Sequence, residues 1–149
     1  MARQPRPTPI TTFRDALGLA MSLADEYAFA NAAVLLAGDG RPIDVAVDEG
    51  IGATIEPVVA WACGARCWAR RPHSALVLSI RPHEAEVVRE RDLWRYRQAG
   101  WSLGRAGFDL LDWIETDGDL FRSFAYLTCP ARAWAGDPPV DRIDDSGPS

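Results

Sequence analysis

Residues 74–92 read SALVLSIRPHEAEVVRERD. The first seven are apolar except for Ser74 and Ser79, and a run this short and this uniformly apolar suits a central strand covered on both faces. Pro82 stops the strand, and a charged segment with helical spacing follows from 84 to 103. A buried strand delivering straight into a helix predicts a layered domain in which helices cover a sheet.

Working outward, TTFRDALGLAMSLADEYAFA (11–30) opens on a threonine cap and spaces Phe13, Leu17, Ala20 and Leu23 as the apolar stripe of a helix. AAVLLA and RPIDVAV, joined by Gly-Asp-Gly, read as a hairpin. IEPVVAWACGARCWARR (55–71) reads as a second helix, with Pro57 tolerated in its first turn. Beyond the charged helix, FDLLDWIET and LFRSFAYL, separated by DGD, predict a second hairpin. The expected order is α, β, β, α, β, α, β, β, an α/β (α+β) fold with a layered mixed β-sheet flanked by helices. The domain is expected over 10–128. Residues 1–9 and 129–149, rich in Pro, Asp, Gly and Ser, read as tails.

At 149 residues, 48% hydrophobic and 25% charged, the chain has the composition of one globular domain. It holds no apolar run long enough to span a membrane. The opening MARQPRPTPITTF has arginines without an apolar stretch behind them, so no secretory signal is expected and a cytoplasmic location is the default. Every basic side chain is an arginine, the mark of a GC-rich, bacterial-type coding sequence, and that removes Schiff-base and P-loop lysine chemistry. A net charge of −5 disfavours a broad nucleic-acid surface. Cys63, Cys67 and Cys129 are read as reduced thiols, and with two distant histidines they do not assemble a four-ligand zinc site.

The order and the residues resemble the RadC-type domain of the JAB/MPN metalloprotease superfamily, whose architecture is cytidine-deaminase-like. In that family a buried strand runs into His-x-His-Pro, and a Ser-x-x-Asp opens the following helix. Here ALVLSIRP stands in that place, so Ser79 and Arg81 fall on the two histidine positions, Pro82 matches the proline, Arg89 replaces the motif serine and Asp92 matches the third ligand. Gly107, Leu110, Leu111 and Asp112 match the family's Gly and apolar-apolar-Asp stretch, with Trp113 replacing a histidine. FRSF resembles the last strand and LLAGDGRPID the first hairpin. The family's glutamate base has no counterpart in YAFANAA, Glu26 being nearest and about one helical turn early.

The resemblance therefore implies a metal motif without its donors. A hydrolytic zinc needs three N, S or carboxylate ligands and a base for its water. Serine is a poor ligand at neutral pH and a guanidinium has no lone pair to give, which leaves Asp92 alone. Arg81 is expected to pair with Asp92 in place of the ion. No cofactor is expected, and zinc only if this alignment fails. HEAEV lacks the second histidine of a His-Glu-x-x-His helix, since position 87 is Val87. His83 reads as a helix-start residue and His73 as a loop residue. No Gly-x-Ser-x-Gly elbow supports a serine triad, and the acidic pairs Asp109/Asp112 and Asp117/Asp119 sit where solvated carboxylates are ordinary.

On the helix of 84–103, Leu93, Tyr96, Gly100 and Leu103 form a packing stripe, while Arg91, Trp94, Arg95, Gln98, Trp101 and Arg105 lie on another side. Tryptophan and arginine are the residue types that dominate binding hot spots. Arg91, Trp94, Arg95, Trp101 and Arg105 are thus candidate binding residues, for an unidentified protein partner or for self-association as a homodimer. The expectation is a pseudoenzyme: an inactive RadC/JAB-like domain used for protein binding or scaffolding. The alternatives are a metal-dependent peptidase or isopeptidase with an unconventional site, and a DNA-associated accessory protein.

Overall fold

The computed structural model describes residues 8–68, 70–82, 90–130 and 133–136. Its centre is one five-stranded sheet in the order β2-β1-β3-β4-β5, formed by β1 (Ala30–Leu36), β2 (Pro42–Glu49), β3 (Ser74–Ile80), β4 (Asp109–Thr116) and β5 (Phe121–Ser123). Only the β3–β4 pair is parallel, so the sheet is mixed. Every residue of β1 and β3 is buried, which is why both sequences are nearly continuous apolar runs. The expected layered α/β fold with a mixed sheet flanked by helices is what the chain forms.

Helix α1 (Phe13–Glu26) starts at a capping box in which Thr12 and Asp15 satisfy each other's backbone N–H groups. It lays Phe13, Ala16 and Ala20 on one face of the sheet, against Val34, Leu76, Leu78 and Ile114. The opposite face carries α2 (Glu56–Gly64) and α3 (Glu90–Arg105), packed on Leu35, Val77 and Trp113. The expected stripe on α3 is the one that packs: Leu103 is fully buried, while Leu93 and Tyr96 are partly buried against the same core. Positions 83–89, with His83 and Arg89, lie outside the described residues, as do 1–7 and 137–149.

Three boundaries differ from expectation. The helix expected over 55–71 ends at Gly64 and passes into a 3-10 turn over Ala65–Cys67. LFRSFAYL is not a single strand: β5 ends at Ser123 and a short helix, α4 (Phe124–Thr128), follows. The cause is local. Ser123 caps α4 by accepting from the Tyr126 N–H at 3.2 Å, and the Ala125 N–H donates to the Asp112 carboxylate at 2.9 Å, so the chain turns where its amides find acceptors. Packed structure also continues beyond 128: Ala133 is buried, and Trp134 joins the α1-side core from a short 3-10 turn over Ala133–Gly136.

Candidate functional site

The pairing registers line up four polar residues across the sheet. Asn31 lies opposite Ser79, Ser79 opposite Glu115, and Glu115 opposite Arg122. Directly paired residues project to the same face, and Trp113 and Arg81, each two residues from a member of the row on its own strand, project to that face too. The row lies at the carboxyl ends of the parallel strands β3 and β4, on the side covered by α2 and α3. Chain leaves β3 toward α3 on one face and arrives at β1 from α1 on the other, the kind of crevice where open α/β sheets bind ligands.

At the bottom of this site is a neutral hydrogen-bond chain. The fully buried Ser79 hydroxyl donates to Asn31 Oδ1 at 2.5 Å and accepts from Trp113 Nε1 at 2.8 Å. Asn31 in turn donates through Nδ2 to the carbonyls of Ala53 at 3.0 Å and Thr54 at 3.2 Å, tying the loop after β2 to the sheet. Trp113 is held in place by stacking on Phe124, with centroids 4.3 Å apart.

Above the chain stands a layer of ion pairs. Arg81 pairs with Glu115, which also takes Arg122 Nη1 at 3.2 Å, and the Arg81 guanidinium lies 5.8 Å from the Trp113 ring centre. Asp92, on the first turn of α3, pairs with Arg95 at 3.8 Å, and Arg95 reaches Glu56 at 3.4 Å. Among the described residues, the expected Arg81–Asp92 pair is thus replaced by two others. The register explains the change: Glu115 stands on the strand beside β3, on the face and near the level of Arg81, while Arg95 is one turn from Asp92 on the same helix.

Ser79, Arg81 and Asp92 come to one end of the sheet, with Arg81 and Asp92 on the wall of a cavity of about 420 Å³ and Ser79 beneath it. Their donors do not fit a zinc ion. Ser79 Oγ already donates one hydrogen bond and accepts another, Arg81 is a cation, and the Trp113 indole offers only a donor. Among the described residues, no group of three His, Cys, Asp or Glu side chains stands close enough to hold a metal. Cys63 and Cys129 are free thiols. Sequence reading missed Asn31, Glu115 and Arg122. Asn31 had a signal, as the one polar residue in ANAAVLL, whereas Glu115 and Arg122 look like ordinary solvated charges.

Asp112, on β4, points the opposite way, toward Trp134. It is fully buried and accepts from the Trp113 N–H at 2.7 Å, Ser123 Oγ at 2.5 Å, the Ala125 N–H at 2.9 Å and Trp134 Nε1 at 2.9 Å. Burial pushes its carboxyl up to about 6 against these four donors.

The five candidate binding residues split into two groups. Arg91 and Arg95 face the cavity. Trp94 and Trp101 are 59% and 61% exposed on the outer side of α3, and the Arg105 guanidinium lies 4.9 Å over the Trp101 ring. No helix of the described residues is long and apolar enough to cross a membrane. No protein-family model matches this chain, and no curated protein matches it.

Proposed function

We propose that this chain is a RadC/JAB-like domain whose former metal site has become a structural and binding site, so that the protein acts by binding or scaffolding in the cytoplasm and not by hydrolysis. One observation carries the reading: Ser79, at the position that the resemblance gives to a metal ligand, is buried and held in a hydrogen-bond line between Asn31 and Trp113. A water-activating ion would need that oxygen and a neighbouring base, and Asn31 is an amide that cannot take a proton at neutral pH.

Elemental analysis of protein purified from zinc-supplemented cells tests this. Zinc well below one equivalent is expected, and stoichiometric zinc overturns the reading. For the partner, exposed Trp94 and Trp101, seven residues apart on one side of α3, supply the large aromatic surface that protein interfaces use. If α3 mediates self-association, Trp94→Ala with Trp101→Ala delays elution in size exclusion. An unchanged elution position removes self-association and leaves a different protein as the partner.

A further inference from the structure

The sheet has a long open edge. β2 is eight residues long and has β1 as its one neighbour among the described residues, so half of its backbone amides and carbonyls turn outward. The register says which half. The Gly50 N–H donates to the Phe29 carbonyl at 3.1 Å, and bonded and non-bonded pairs alternate along an antiparallel ladder, so Glu49, Val47 and Val45 turn their N–H and C=O groups away from β1. The Val45 N–H, taken at 2.8 Å by the neighbouring Asp44 carboxylate, points the same way. On the α1 side this edge is bare: Val45 and Val47, paired with Val34 and Ala32, are 42% and 38% exposed. β2 also carries three acids, Asp44, Asp48 and Glu49, and no base.

We propose that this edge is filled by the chain's own N-terminal segment, residues 2–8, added as a further strand antiparallel to β2. The Ile10 N–H donates to the Gly40 carbonyl at 2.8 Å, two residues before β2 begins, so the chain upstream of Ile10 starts at the right end of the edge. An extended chain covers about 3.3 Å per residue, and residues 2–8 therefore reach along β2 as far as Glu49. Pro5, Pro7 and Pro9 are spaced by two, so in an extended chain their missing N–H groups all lie on one side and the amides of Gln4, Arg6 and Thr8 on the other. With those amides toward β2 the prolines face solvent, and the open edge is exchanged for one without donors. Carrying the Ile10–Gly40 alignment past the extra residue at Ile43 sets Arg6 against Val45, Gln4 against Val47 and Arg3 against Asp48. The stems of Arg6 and Gln4 then cover the two exposed valines, and Arg3 meets an acid. A second copy fits worse, because two β2 strands paired about Ala46 set Asp44 against Asp48 twice.

Hydrogen exchange of single amides in the full chain tests this. The Val47 and Glu49 amides are expected to exchange roughly tenfold or more slowly than in a Gln4→Pro plus Arg6→Pro variant, which removes two donors aimed at β2. The β1 and β3 amides report on folding and stay equally protected in both proteins. Arg3→Glu, which sets an acid against Asp48, is expected to lower the protection of the same two amides by about threefold. The proposal is overturned if Val47 and Glu49 exchange in the full chain as fast as in an unstructured peptide, or if their protection survives both prolines. Protection that fades on dilution of the protein also overturns it, since the added strand then comes from a second copy.

Discussion

Two polar centres stand back to back on β4, one residue apart, and they solve burial in opposite ways. Trp113 faces α3 and closes a neutral chain through Ser79 and Asn31. Asp112 faces α1 and gathers four donors onto one carboxylate. The neutral chain is a line: the Trp113 indole gives to Ser79, Ser79 gives to Asn31, and Asn31 gives to two backbone carbonyls, so its bonds are spread over three side chains. The carboxylate is a hub, and losing it strands every donor around it. An unsatisfied buried donor costs more than the bond was worth, so the hub side is the more fragile.

The largest effect is therefore expected from Asp112→Ala. It leaves two amides, the Ser123 hydroxyl and the Trp134 indole without their acceptor, and stability in urea should fall by roughly 3 kcal/mol or more. Because α4 and the turn at Ala133–Gly136 hang on this carboxylate, Trp134 fluorescence should shift toward that of exposed tryptophan. A loss under about 1 kcal/mol would mean that the hub does not hold this region.

Ser79→Ala is expected to cost less, about 1–2 kcal/mol, since it leaves the Trp113 indole N–H and one Asn31 lone pair unpaired. Equal losses for Ser79→Ala and Asp112→Ala, measured in the same denaturant series, would erase the distinction between line and hub.

The two centres also differ in pH response. The folded Asp112 carboxyl titrates near 6, above its ordinary 3.8, because burial outweighs the donors. The folded chain thus binds a proton there that the unfolded chain has already released. The contribution of this group to stability is fully present below the unfolded value and is lost as pH rises through about 6. Asp15, where four bonds from Thr11 and Thr12 outweigh slight burial, is shifted the other way, and its contribution is lost only as pH falls below the ordinary 3.8. Between about pH 4.5 and pH 7, wild type should lose stability more steeply than Asp112→Asn, while Ser79→Ala should keep the wild-type slope. Parallel slopes for wild type and Asp112→Asn would place the titration elsewhere.

The smallest effect is expected far from both centres. Arg105→Ala removes a cation over the exposed Trp101 ring and should change stability by about 0.5 kcal/mol. A much larger loss would show that the outer face of α3 is held by more than this contact.

The apolar runs of β1 and β3 and the stripe Leu93, Tyr96 and Leu103 were legible because burial forces a period onto the chain, and they sufficed for the layered fold. The second hairpin was half legible. FRSFAYL has the apolar content of a strand, and its turn into α4 is decided by Asp112, eleven residues earlier than Ser123. Ser79, Arg81 and Asp92 were placed at one site through their motif spacing. Arg81 was nonetheless assigned the wrong acid, because helix and sheet neighbours compete for a guanidinium and only the register says which is nearer.

The sequence by itself determined which segments are buried, where the chain turns at Gly-Asp-Gly, and that no lysine chemistry is available, since hydrophobic period and residue type are local properties. The tertiary structure alone decided that Asn31, Ser79, Glu115 and Arg122 share one row. It also decided that Asp112 and Trp113, adjacent in the chain, serve opposite faces. Both depend on how strands from distant parts of the chain align, and a slip of one residue would exchange every face.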